Sequence, residues 1–352
     1  MTEVEVAILH PEPDPGAGPL TLVTAAARLE VAERHRRGFL EAGATRATVI
    51  IGPADPKPFG ARLREIVADI GAGGLIVLGS GAVPLATHAD RRELVQVAGD
   101  DRPRALTNNR YSADVVAVAR AGSVLAGVPD LPSDNALPRW LAEHAGVPVD
   151  DRRGRTRLGI DVDGPLDLVL LGGRWGSMLA EADTAAVRAT IAAVRSVIDD
   201  ARAELVITGR VSAANVGWLE ARTASRTRAL IEERGLRTRR IGQRPAASVL
   251  GALLDRDGPA SLAEHLARLG DAAIVDTRVL LAHRFGADEA RWPSAEDRFA
   301  SDLLLPSRVA DPWLRALTGS AVAAPIPILL GGHTLVGPGL RLALGRRSAR
   351  PG

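Results

Sequence analysis

Short apolar runs alternate with helical repeats through the first half of the chain, and this alternation restricts the fold more than any other feature. Residues 4–9 (VEVAIL) have the length of a buried strand. A helix is expected over about residues 21–42, where Leu22, Ala26, Leu29 and Ala32 form a stripe and Gly43 supplies the stop. Residues 47–51 (ATVII) read as a second strand. Residues 61–70 read as a second helix with Leu63, Ile66, Val67 and Ile70 on one face, and a third strand begins at Leu75. Strands and helices at this spacing imply right-handed crossovers and a three-layer, mostly parallel α/β sheet.

Composition narrows the class. The chain has 352 residues, enough for two domains, and 46% of them are hydrophobic, enough for substantial cores. No apolar run approaches the roughly 20 residues that span a bilayer. The acidic start, Thr2-Glu3-Val4-Glu5, passes directly into a strand and does not resemble a signal peptide. There is no cysteine, which excludes disulfides and thiolate metal sites. A cytoplasmic protein without a membrane partner is expected. The net charge is only +2, and no basic run is interleaved with aromatics, which make up 3% of the chain. Nucleic acid is therefore not an expected partner.

Two segments carry a family resemblance over about residues 4–171. Residues 75–87 (LIVLGSGAVPLAT) are an apolar strand, a glycine break and a Val-Pro-Leu corner. Residues 161–168 are Asp-Val-Asp-Gly-Pro-Leu-Asp-Leu. Both resemble GT-A-like nucleotidyltransferases, the group of molybdopterin guanylyltransferase and 2-phospholactate guanylyltransferase. The resemblance implies a GT-A/Rossmann-like domain that binds a nucleoside triphosphate and transfers a nucleotidyl group to a phosphorylated small-molecule acceptor. It also implies Mg²⁺ held by Asp161 and Asp163 as catalytic metal ligands. On an extended strand these two residues would point to the same side, and two carboxylates suit a hard cation. The alternative is that Asp163 helps satisfy a helix N-terminus while Asp161 pairs with an arginine. Pro165 suits the first turn of that helix.

The chain departs from the family pattern twice. Ala82 stands where the resemblance implies a metal-holding aspartate before Val83-Pro84-Leu85. The loop at residues 10–19 (HPEPDPGAGP) offers Gly16 and Gly18 but no basic residue for a triphosphate. Backbone amides at the following helix start can still receive phosphate, and a plain surface loop is the other reading. These departures leave a catalytically degenerate binding or assembly protein as the alternative function.

Other candidates rest on residue type alone. Lys57, the only lysine, sits between two prolines in the loop at 53–60, either as a phosphate contact or as a solvated charge. Residues 104–119 read as two strand pieces separated by Thr107, Asn108, Asn109 and Arg110. The asparagines with Arg110 and the only tyrosine, Tyr111, can read a base or ribose, and Asx-rich segments are also ordinary turn formers. Ser133 or Asp134 can cap a helix at about 136–145.

Gly172-Gly173-Arg174-Trp175-Gly176 marks an expected boundary, giving domains 1–172 and 173–352. A helix is expected over about 184–201, with Val187, Ile191, Val194 and Ile198 in register. A strand at 205–208 follows, and then a long helical stretch over 213–234 bearing Arg222, Arg226, Arg228 and Arg234. Residues 273–276 (AIVD) read as a strand ending in Asp276. Carboxylates at strand ends line the ligand crevice of open α/β sheets, which makes Asp276 with Arg278 the candidate binding site of this half. With His333, it could form a separate transferase or hydrolase site. Ser294 and Asp311 are expected helix caps. Residues 346–352 form a basic tail, and the second domain supplies the acceptor site or a homo-oligomer interface.

Overall fold

A computed structural model describes residues 2–53, 57–70, 73–236 and 244–345. The basic tail and part of the Lys57 loop lie outside these residues. The protein is α/β and divides into two compact units. The first comprises Met1–Ala17 with Thr24–Val162, and the second Gly18–Val23 with Asp163–Gly352. The divide therefore falls at Val162/Asp163, ten residues before the expected Gly172. The reason is a helix, Pro165–Leu171, whose apolar residues are buried with the second unit. Leu166 packs at Gly331 and Leu170 at Gly339.

The first unit holds six strands: β1 (Val4–Pro11), β2 (Arg46–Gly52), β3 (Gly74–Gly79), β4 (Ala105–Thr107), β5 (Val115–Val118) and β6 (Val149–Asp151). They form one sheet in the order β2-β1-β3-β5-β4-β6. β1 pairs parallel with β2 and β3, and β4 pairs parallel with β6. β5 alone is reversed, antiparallel to both β3 and β4. The turn from Thr107 to Val115 is too short for a parallel crossover, so the chain must double back.

Alternate side chains leave the sheet on opposite faces. Val6, Ile8, Ile76 and Leu78 meet helix α1 (Pro19–Glu41) through Ala32 and Phe39, and α3 (His88–Ala98) through Leu94 and Ala98. Ala7, Leu75 and Val77 meet α2 (Phe59–Ile70) through Leu63 and Val67. The three layers thus follow from a strand period of two.

In the second unit β7 (Glu204–Gly209), β8 (Arg226–Ile231), β9 (Ala272–Asp276) and β10 (Ile328–Gly331) form a parallel sheet in the order β10-β9-β7-β8. Here one sequence expectation fails. The stretch 213–234 is not one helix: a helix spans Ala213–Arg222, and β8 follows it. The Arg226 amide donates to Ala203 O at 3.0 Å and starts pairing along β7. Arg226 and Arg228 therefore lie on a strand, where Arg228 pairs with Glu204 at 2.9 Å. No described helix is long and apolar enough to cross a membrane.

Candidate functional site

In an open α/β sheet the ligand crevice lies at the carboxyl ends of two strands whose connections leave in opposite directions. In the first unit those strands are β1, which leads to β2 on one side, and β3, which lies on the other. A polar pair occupies this point. His10, near the end of β1, and Ser80, just past β3, are both buried and share a hydrogen bond, Nδ1 to Oγ, at 3.0 Å. Burial lowers the His10 pKa, and the nearby Arg28 guanidinium lowers it further, against an opposing contribution from Glu12.

Beyond Ser80 the chain turns a strained corner. Val83, β-branched and followed by Pro84, has φ +41. Such a conformation persists only where its surroundings impose it, and it clusters at ligand sites. Two braces impose it here. From below, His35 on α1 donates its Nε2–H to Ala82 O at 2.8 Å, and Arg91 Nε donates to His35 Nδ1 at 3.3 Å. From the side, Ala82 forms a β-bridge with Asp161, and the Val162 amide donates to Gly81 O at 3.1 Å. Arg28 Nε donates to Val162 O at 2.6 Å. The two segments that carry the family resemblance thus meet through Gly81, Ala82, Asp161 and Val162, all four in the first unit.

The corner revises the reading of Ala82. This residue is 2% exposed and belongs to the hydrophobic core, so an aspartate there would face apolar side chains. Position 81 is the one that looks at Asp161: a Cβ on Gly81 would lie 3.0 Å from Asp161 Oδ1 and 3.2 Å from Arg28 Cγ. A side chain at 81 would not fit without a shift, since its Cβ would also lie 2.8 Å from Val162 O.

Asp161 sits at a single bridge, not on a strand, and its Oδ1 accepts the Val162 amide at 2.8 Å. Asp163 belongs to the second unit and is exposed. Its amide and that of Gly164 both donate to Asp167 Oδ2 at 2.8 Å. Asp167 thus closes the capping box of the Pro165 helix. Among the described residues no group of three or more His, Asp or Glu could hold a metal. A corner offering one carboxylate, opposite a glycine and beside an arginine, does not fit Mg²⁺, which demands near-octahedral oxygen ligands.

The remaining expected site residues separate. Gly16 is exposed with open space where a side chain would be. Gly18 lies in the second unit, where a Cβ would overlap the Glu296 carboxylate. That carboxylate accepts from the Leu20 amide at 3.1 Å and from the Thr21 amide at 2.9 Å. The helix start expected to receive phosphate thus holds an internal carboxylate. Asn108 directs both Nδ2 hydrogens to Asp114 Oδ2 and Leu158 O, and its Oδ1 accepts the amides of Asp114 and Val115. It braces the β4–β5 turn and has no donor left for a base. Asn109 Oδ1 accepts the Tyr111 amide at 3.0 Å. Arg110 lies in the same turn.

In the second unit the corresponding switch point, between β7 and β9, is filled. Arg210 donates to both carboxylate oxygens of Asp276 at 2.6 and 3.0 Å, and both residues are buried. Gly209, at φ +106, allows this approach, since a Cβ there would overlap Asp276. Burial alone would raise the Asp276 pKa, but Arg210 more than offsets it and the net shift is downward, with His333 contributing in the same direction. Arg278 donates to both oxygens of Asp302 at 2.6 Å. Burial raises the Asp302 pKa despite that partner. Asp276 and Arg278 are thus brought close, each bound to a charged partner of its own.

His10, Ser80, Arg28 and His35 were not singled out by the sequence reading. A signal for the first two exists: each is the first polar residue after an apolar run. Arg28 and His35 carry no such mark, because only the path of α1 brings them to the corner.

No protein-family model matches the chain, and no curated protein matches it by sequence. Among solved structures, one from Desulfovibrio desulfuricans G20, described as a "putative nucleotide-diphospho-sugar transferase", is similar at 15% identity. The match covers 49% of this chain and 87% of that one, with a TM-score of 0.35. The likeness is coarse and concerns the fold alone.

Proposed function

We propose that the first unit binds a nucleoside phosphate at the β1/β3 switch point, and that the chain is a nucleotidyltransferase-like binding or assembly protein. The observation that carries this reading is the His10–Ser80 pair at the strand ends, flanked by Arg28 and the strained Val83 corner. Arg28 supplies positive charge for a phosphate, and Ser80 and the neutral His10 supply hydrogen-bonding groups. Binding is favoured over metal-dependent transfer because the corner has one carboxylate, Asp161, facing Gly81. Phosphoryl chemistry of the transferase kind depends on metal ions to neutralise charge on the reacting oxygens. The second reading, nucleotidyl transfer to a phosphorylated acceptor with Mg²⁺, draws on the bridge that seats Asp161 at the corner.

Thermal unfolding of the full chain with each common nucleoside triphosphate, with and without Mg²⁺, separates the two. A ligand that binds only the folded state raises its apparent stability. The binding reading expects a shift that Mg²⁺ leaves unchanged and that Arg28→Ala diminishes. A shift that appears only with Mg²⁺ favours the transferase. No shift with any nucleotide removes both.

A further inference from the structure

The turn between β4 and β5 holds an aromatic and a cationic group whose exposure the fold does not require. Its base is rigid, because Asn108 bonds Asp114 and Val115 across it and Asn109 fixes the Tyr111 amide. Tyr111 then projects outward and is 54% exposed, in a chain where aromatics make up only 3%. The Arg153 guanidinium lies 5.2 Å from its ring centroid. Arg153 is positioned in turn by Asp151, which pairs with Nε at 3.1 Å and accepts its amide at 3.3 Å. Beside Tyr111, the Arg110 Nε is buried without a hydrogen-bond partner. A buried N–H with no acceptor is costly and calls for an explanation.

We infer that Tyr111, Arg153 and Arg110 form a stacking platform for a nucleobase, at the far end of the nucleoside phosphate assigned above to His10, Arg28 and Ser80. The inference rests on that assignment. β4 runs in the same direction as β1 and β3, so the turn after Thr107 stands at the same edge of the sheet as His10 and Ser80. Two strand spacings separate β4 from β3, about 10 Å, a gap that a nucleoside bridges. Every base has a π-face, so stacking on tyrosine tolerates any of them, and an arginine against the ring adds a cation–π contribution. Arg110, next to Tyr111 in the same turn, adds positive charge beside the platform.

The test compares binding of ATP, GTP, CTP and UTP with binding of inorganic triphosphate, by calorimetry on the full chain. For the wild type, at least one nucleotide should bind more tightly than triphosphate. Tyr111→Ala should weaken that nucleotide about tenfold and leave triphosphate unchanged, while Tyr111→Phe retains affinity. Arg153→Gln gives a second, independent loss should Tyr111→Ala fail to fold. If the wild type binds nucleotide and the folded variants bind it equally well, the platform is wrong and the phosphate site stands. The platform is also wrong if triphosphate binds as tightly as every nucleotide. If the wild type binds none of these, the phosphate site itself falls, and the platform with it.

Discussion

His35 donates to the carbonyl of Ala82 through one ring nitrogen and accepts from Arg91 through the other, which fixes it as the neutral Nε2–H tautomer. Burial lowers its pKa to about 3, and the Arg91 charge contributes to the shift. The imidazole thus works as a neutral strut beneath the Val83 corner. Arg91, itself buried, points a Nη2 that has no hydrogen-bond partner, so little in this region could accommodate a second cation.

Protonation of His35 should therefore oppose folding. The unfolded chain takes up this proton near pH 6.5 and the folded chain only near 3. Between those limits the unfolded state binds more protons, and stability falls as pH falls. The contribution is about 1.4 kcal/mol per pH unit. His10, also shifted down, acts in the same direction, so the measurement is the difference between wild type and His35→Asn in urea unfolding across pH 4–7. Parallel pH profiles for the two proteins would contradict the strut.

Asp90 governs a lower window. Burial would raise its pKa, but bonds from Arg157 and Thr87 prevail and hold it at about 2, against 3.8 unfolded. It also closes the capping box of α3 with Thr87. Its contribution of about 2 kcal/mol is complete above pH 4 and disappears as pH drops toward 2. Asp90→Asn should cost about that much at pH 7 and little at pH 2.5, as read from unfolding midpoints at the two pH values.

Asp276→Asn leaves Arg210 as a buried cation without its counter-ion. Removing one partner of such a pair costs about 3–5 kcal/mol, so the unfolding midpoint should drop sharply. If the switch point of the second unit is a plug and not a ligand site, nucleotide binding per folded molecule should stay unchanged. Calorimetry on the folded fraction checks this.

Glu296→Ala removes the acceptor for the Leu20 and Thr21 amides and for the Thr21 hydroxyl. Loss of an N-terminal cap costs about 1 kcal/mol. Glu296→Gln, which keeps an acceptor oxygen, should cost less. Chemical denaturation of the two variants gives the ordering.

The sequence by itself determined the elements and their layering. Residues 4–9 and 75–79 are apolar runs that become buried strands, and the stripe on α2 marks the face that meets the sheet through Leu63 and Val67. Residues 47–51 form a half-exposed edge strand, and the stripe Leu22, Ala26, Leu29 and Ala32 misses the buried face of α1, which runs through Leu20, Thr24, Ala27, Val31, Ala32, His35 and Phe39. Pro165 and Ser294 marked helix starts correctly, since capping depends on neighbours within three or four residues. Between Arg226 and Ile231 an edge strand with exposed arginines has the local look of a solvated helix, and only pairing with β7 decides it. The corner at Gly81 and Ala82 depended wholly on tertiary structure. Which of two adjacent small residues faces Asp161 is set by the twist of the chain beyond β3 and by the His35 brace from a helix some 45 residues earlier. The same holds for Asn108, whose amide is consumed by groups up to 50 positions away. Residue type announces what a side chain can bond, but the fold decides what has already taken the bond.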